Sequence, residues 1–335
     1  MSSSFPYTNF KLLHRFRHSE DCVDRVAIDS TSQILLTTDS VKIKFWNLLN
    51  CELLRVSGPR VYSEGFGGTI KDMKISPDGR LIGTAHKKYE VNIWEFETGK
   101  HIRYLHETAE FVHDFISILF SPDGQWVMAG DGSRNVMWDL RNEEGLCSQP
   151  IPPVIIGEDM TMSPDGSVIV ASSGSKLEVG SWPPPRKRHR IETPHQVRGG
   201  NVCISSVAVS PDAKLFATGF FEGTIKLWRA DNYEVVWTIA AHPNLNPPSR
   251  LGIIHAVTDL AFSPDSEILI SCSIDKLIKF WDVKTGELKH TLTGHQDHIE
   301  CMALSPDGQF LVTAESQTFK PKDYMGFVYV WGIPQ

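Results

Sequence analysis

Ser76-Pro77-Asp78-Gly79 decides the reading of this chain, because the same tetrapeptide returns at Ser121–Gly124, Ser163–Gly166 and Ser305–Gly308. Two weakened copies read Ser210-Pro211-Asp212-Ala213 and Ser263-Pro264-Asp265-Ser266, and a degenerate one, Asp29-Ser30-Thr31-Ser32, stands where a first copy belongs. The starts at 29, 76, 121, 163, 210, 263 and 305 are separated by 42 to 53 residues. Such a period marks a repeat architecture. Proline fixes φ and Asp-Gly tolerates positive φ, so each copy is a hairpin connection. Alternating apolar residues precede it, as in Val207-Ala208-Val209 and Leu260-Ala261-Phe262, and short apolar runs such as Leu81-Ile82-Gly83-Thr84 follow.

A third strand-like run ends in Trp in every unit: Trp46, Trp94, Trp138, Trp182, Trp228, Trp281 and Trp331. In the first six units the Trp lies 17 to 19 residues after the start of the turn. Seven of the nine Trp residues are placed in this way.

Val41-Lys42-Ile43-Lys44-Phe45-Trp46, Thr224-Ile225-Lys226-Leu227-Trp228 and Leu277-Ile278-Lys279-Phe280-Trp281-Asp282 resemble the third strand of WD repeats. Trp138-Asp139 and Trp281-Asp282 keep the namesake dipeptide, and Gly294-His295 resembles the family's Gly-His. The resemblance covers residues 11 to 332 and implies an all-β, seven-bladed β-propeller of four-stranded antiparallel blades. The seventh unit ends at Trp331 without a fourth strand of its own. Lys11–His18 resembles a fourth strand, so the N-terminal strand is expected to close the last blade and remove a sheet edge. The expected organisation is a tail over residues 1–10 and one propeller over 11–335, monomeric because the ring closes within one protomer.

Composition narrows the function classes. Hydrophobic residues make up 41% and charged residues 22% of 335, the balance of a soluble globular chain. A formal net charge of −7 argues against a general nucleic-acid binder. The six Cys, at 22, 51, 147, 203, 272 and 301, include no CxxC pair and read as small buried hydrophobes in a reducing compartment. No signal-peptide pattern or apolar run of membrane-spanning length is present, so membrane insertion is not expected and a cytoplasmic location is, with a nuclear one as alternative.

His295, Asp297 and His298 have the residue types of metal ligands. The family resemblance implies instead that His295 joins a buried network of a hydroxyl residue, an acid and the blade's Trp. Blade six carries the fullest set, Ser271, Asp275 and Trp281, with His242 or His255 to complete it. Asp275 lies six residues before Trp281; elsewhere that position is Ser40, Lys88, Gly132, Lys176 or Glu222, so most networks are expected to be incomplete. There is no phosphate-binding glycine loop, GxSxG elbow or HExxH motif, so no catalytic residue, cofactor or metal is expected.

Irregularities in the repeat point to a binding face. Extra residues fall at Ser57–Gly68, Pro243–Ile254 and about Ser316–Gly326, all opening on the rim that the resemblance makes the family's top face. Loops concentrated on one rim of a rigid scaffold are where binding resides. By register, Asp24, Asp39, Lys71, Lys87, Asp114, Asp131, Glu158, Phe221, Thr258, His298 and Glu300 point into that rim, with Tyr324, Phe319 and Phe66 as apolar anchors from the insertions. Two like charges about 8 Å apart at an effective dielectric near 40 repel by about 1 kcal/mol. A rim with six acids against two lysines therefore favours a basic peptide or protein segment. Pro183–Arg190 is the local exception: Arg186, Lys187, Arg188 and Arg190 cluster at the turn into the outer strand of blade four, as an edge for an anionic partner, an import signal, or a charged edge that discourages pairing.

The expected function is a non-catalytic protein–protein interaction scaffold or complex subunit. The alternatives are an enzyme or small-ligand-binding propeller using the channel mouth, and a nucleic-acid or chromatin-associated subunit using residues 186–190.

Overall fold

The computed structural model describes residues 6–19, 22–58, 69–86, 90–106, 115–131, 135–142, 159–183, 189–193, 196–197, 200–201, 203–243, 256–316 and 326–334. Their strands form a seven-bladed propeller of antiparallel sheets. Six sheets show four strands; the third shows Ser117–Phe120, Trp126–Gly130 and Asn135–Asp139, and residues 143–158 beyond it lie outside the described residues. The first strands of the blades, Arg25–Ile28, Ile70–Ile75, Ser117–Phe120, Asp159–Met162, Ile204–Val209, Val257–Phe262 and Ile299–Leu304, contact one another in a closed cycle and line the central channel.

The seventh sheet is closed by the N-terminal segment. Lys11–Ser19 pairs antiparallel with Gly326–Gly332, from Lys11 opposite Gly332 to Ser19 opposite Gly326. The residues before it are not a free tail. Pro6–Asn9 forms a 3-10 turn that buries Tyr7 and Phe10, and both rings pack on Phe280 of blade six, with Tyr7 stacked at 5.2 Å.

All seven turns form, and their chemistry explains the repeat. The leading Ser Oγ accepts the N–H of the residue five further on, as Leu81 N to Ser76 Oγ at 2.9 Å and Ile268 N to Ser263 Oγ at 2.9 Å, and itself donates to the turn's Asp. In the degenerate first copy the Asp29 carboxylate takes the Ser's place and accepts Ile34 N at 2.7 Å. The fourth residue is left-handed in every copy: Gly79, Gly124, Gly166 and Gly308 at φ between 67° and 73°, and Ser32, Ala213 and Ser266 at 57° to 61°.

Six of the seven expected Trp positions are found. Trp46, Trp94, Trp138, Trp228, Trp281 and Trp331 all sit at the same register, opposite Leu35, Ile82, Val127, Phe216, Leu269 and Leu311. Blade four departs from the expectation. Gly180, not Trp182, faces Ile169 there, and Trp182 lies beyond the strand, beside Trp126 with ring centroids 6.3 Å apart. A spacing of 17 to 19 residues admitted both positions, and the larger residue was the wrong one.

Each indole needs an acceptor when buried. Thr37, Thr84, Thr218, Ser271 and Thr313 provide it to Trp46, Trp94, Trp228, Trp281 and Trp331 at 2.8 to 3.0 Å. Ala129 occupies this position in blade three, so the buried Nε1 of Trp138 has no hydrogen-bond partner among the described residues. In blade six the chain of bonds is complete. Trp281 donates to Ser271, Ser271 Oγ lies 2.9 Å from His242 Nε2, and His242 Nδ1 lies 2.7 Å from Asp275.

His242 is therefore the fourth member, and His295 belongs to blade seven. There it bridges Thr313 at 2.9 Å and Glu315 at 3.3 Å, next to Trp331. Glu315 supplies the acid from inside the second strand, a place the spacing rule did not search. It also accepts the N–H groups of Gln296 and Asp297. His86 reaches Thr84 in blade two at 2.8 Å from the same strand.

Ser271→Ala removes the acceptor of the Trp281 indole N–H and the hydroxyl bonded to His242 Nε2. It is expected to cost about 1–3 kcal/mol, the penalty for the Trp281 N–H left buried without its acceptor, as measured by urea unfolding. Ala213→Gly relieves a left-handed alanine and is expected to stabilise by about 0.5–1 kcal/mol in the same assay.

Candidate functional site

One register position recurs around the channel, the residue just before the one that pairs with the Trp-binding hydroxyl position. From blade one to seven it is Arg25, Asp72, Ser117, Asp159, Ser206, Asp259 and Cys301. The acids come from alternate blades and each reaches into the next. Asp72 accepts Ile118 N at 3.0 Å, Asp159 accepts Val207 N at 2.8 Å, and Asp259 accepts Met302 N at 2.9 Å. Serine is too short to span the same gap, and the Oγ atoms of Ser117 and Ser206 are buried without a hydrogen-bond partner.

A cavity of about 200 Å³ opens along this ring, lined by Arg25, Asp72, Lys74, Asp159, Ser206 and Asp259 among others. Its charges are unevenly matched. Arg25 Nε and Lys74 Nζ share a single carboxylate oxygen of Asp72, at 3.4 and 3.8 Å. Asp159 and Asp259 have no cation within 4.0 Å among the described residues. Burial pushes the Asp159 carboxyl up to about 6 against the opposing charge of Lys74, and burial raises Asp259 as well.

Phe221, Thr258 and Glu300, three of the residues expected at the rim, line the same cavity. Phe221 is 52% exposed, an unusual setting for a large aromatic. Asp24 stands beside them in the field of Glu300, its carboxyl pushed up to about 6 by burial with Arg25 and Lys71 opposing. One Asp24 oxygen is buried without a hydrogen bond. Burial raises Glu300 too. Lys71, Asp131 and His298 are part-exposed, and His298 Nδ1 donates to the Ile274 carbonyl at 2.7 Å.

Asp39 is a correction. It is buried rather than presented at the rim, because its carboxylate is taken up by Val41 N and Lys42 N at 3.1 and 2.8 Å beside Lys44. It serves blade one near His18 and Trp46, one residue ahead of the position that spacing from Trp46 indicated. Lys87, Asp114, Glu158, Tyr324, Phe66 and Phe319 lie outside the described residues, as do most of the three insertions.

Of the basic cluster, Arg186, Lys187 and Arg188 also lie outside them. Arg190 is exposed on the outer strand His189–Glu192 of blade four, opposite Glu178, where the register placed it. Among the described residues no group of three His, Cys, Asp or Glu is placed to hold a metal ion, and no helix is long and apolar enough to cross a membrane. The sequence reading missed the channel ring, although Asp72, Asp159 and Asp259 each begin or punctuate an apolar first strand.

Comparison with known proteins agrees with this geometry. The family described as WD domain, G-beta repeat matches residues 192–229, 251–282 and 286–320. The chain is a WD-repeat β-propeller protein. It is 26% identical over 283 residues to apoptotic protease-activating factor 1 of Homo sapiens, covering 83% of this chain and 21% of that protein. It is 24% identical over 230 residues to periodic tryptophan protein 2 of Arabidopsis thaliana, covering 68% and 23%. It is 25% identical over 232 residues to actin-interacting protein 1 of Drosophila melanogaster, covering 68% and 35%. The chain thus spans about a fifth to a third of the length of these relatives. WD-repeat propellers are in general protein-interaction scaffolds and typically non-catalytic.

The carboxyls of this WD-repeat channel give a pH signature. Asp159 titrates higher folded than unfolded, so between about pH 4 and 6 the folded state holds protons that the unfolded state has lost. Its contribution to stability therefore falls as pH rises through that window. Burial lowers His18 to about 4, and burial lowers His295 also; these act oppositely, with stability rising from about pH 4 to 6.5. Asp159→Asn removes one side of this balance. Relative to wild type, the variant is expected to gain stability steadily from pH 4 to 6 in urea melts.

Proposed function

We propose that this propeller is a non-catalytic scaffold that binds a basic segment of a protein partner across the top mouth of its channel. The observation that carries the reading is Phe221, a half-exposed aromatic on the wall it shares with Glu300 and Thr258. An aromatic anchor ringed by polar groups is the usual anatomy of an interface hot spot. Asp24 and Glu300 supply negative charge at the mouth, where partial burial strengthens attraction to a cation. The name of the Drosophila relative, actin-interacting protein 1, supports partner binding as a use of such propellers. The chain's net charge of −7 favours a basic partner over an acidic one.

Affinity capture from native lysate, followed by titration of the captured protein, tests this. Phe221→Ala is expected to weaken binding by about 30-fold or more, the effect of losing a hot-spot side chain of about 2 kcal/mol or above. Glu300→Lys is expected to weaken it further at low salt than at high salt. Equal retention by wild type and both variants, with circular dichroism unchanged, overturns the assignment to this face.

A further inference from the structure

We infer that the channel cavity is a binding site for a small zwitterion of the α-amino acid class, its carboxylate on Lys74 and Arg25 and its ammonium on Asp159 and Ser206. This goes beyond the scaffold reading and needs no protein partner.

The donors come from one side of the ring. Lys74 Nζ makes no hydrogen bond with any described residue, and its one ion pair, to Asp72, is loose at 3.8 Å. Arg25 gives one amino group to the Asp24 carbonyl at 2.8 Å and faces the same Asp72 oxygen at 3.4 Å. Two cations thus share one carboxylate, whose oxygens already accept Met73 N and Ile118 N. One positive charge is left over on blades one and two. Both side chains stay accessible, at 40% and 44%.

The acceptors come from the other side. Asp159 uses one oxygen on Val207 N, and its second oxygen has no hydrogen bond among the described residues. Ser206 lines the cavity with its Oγ buried and unpartnered, although the residue is 2% exposed and such a group is ordinarily satisfied. Asp259 uses both oxygens on Leu260 N and Met302 N and adds charge without a free acceptor position. A surplus of donors on blades one and two faces a surplus of acceptors on blades four and five.

A ligand of either single charge satisfies half of this arrangement, and an α-amino acid satisfies both halves. Size agrees as well. A cavity of about 150 Å³ holds a six-carbon ring, so one of about 200 Å³ admits about eight non-hydrogen atoms. That is the range from glycine to threonine and valine, and it leaves no room for a peptide.

The test uses the full chain and purified L-α-amino acids, glycine to valine and threonine, each at up to about 10 mM. Binding is read by thermal shift and saturation-transfer NMR, with glycinamide and N-acetylglycine as probes carrying one charge each. At least one amino acid is expected to bind, and both singly charged probes at least about tenfold more weakly. Lys74→Met and Asp159→Asn are each expected to weaken the amino acid at least about tenfold. Lys74 makes no hydrogen bond among the described residues, so its variant keeps the fold and decides the matter if Asp159→Asn does not. Absence of any signal in both assays with folded wild type overturns the proposal. Glycinamide or N-acetylglycine binding as well as glycine does so too, as does undiminished binding by Lys74→Met.

Discussion

Three carboxylates hold the wall of the channel together. Asp72, Asp159 and Asp259 each leave their own blade and accept a backbone N–H from the innermost strand of the next, joining blade two to three, four to five and six to seven. At these junctions two sheets meet without a ladder between them, and an N–H there needs an acceptor from outside its own sheet. The acids that meet this need bring charge into a narrow, partly buried space. Arg25 and Lys74 answer some of it, and the chemistry of the channel follows from how the blades are joined.

The division of labour along each strand follows from this. Residues one step toward the top face the mouth, where Phe221, Thr258 and Glu300 meet solvent. Residues facing between the blades carry the apolar core, as Leu36, Phe45, Ile70, Met73, Ile82 and Trp94 do between blades one and two. The outer strands carry what the ring tolerates. His189–Glu192 displays Arg190 and stacks His189 on Tyr233 at 4.3 Å, so even the charged edge of blade four is tied to its neighbour.

The repeat was legible because its turn is local chemistry. A Ser, a Pro, an Asp and a left-handed residue close the same bonds wherever they occur, and even Asp29–Ser32 could be aligned with them. Networks assembled from several strands were less legible. The partners of Trp331 come from two places, His295 from ahead of the first strand and Thr313 and Glu315 from the second, where no fixed spacing points to an acid. Asp39 stood one residue from its indicated place because it follows Thr37 by two residues, whereas Asp275 follows Ser271 by four, in a hairpin one residue longer from hydroxyl to Trp. Trp182 satisfied the interval while Gly180 held the position. The channel ring was invisible for another reason: its members align only once the register of seven separate sheets is known.

The seam of the ring has a mechanical meaning. Lys11 lies opposite Gly332 and Ser19 opposite Gly326, so the two strand ends leading out of the seventh sheet emerge side by side at one end of it. Tension between those two points pulls across the strands and loads their hydrogen bonds one after another. Six blades are crossed by continuous chain and share any such load, whereas the seventh peels like a zipper from Lys11 toward Ser19. A propeller built this way is a stiff ring with one strand-paired seam, guarded at its Lys11 end by the Tyr7 and Phe10 rings seated on Phe280 of blade six.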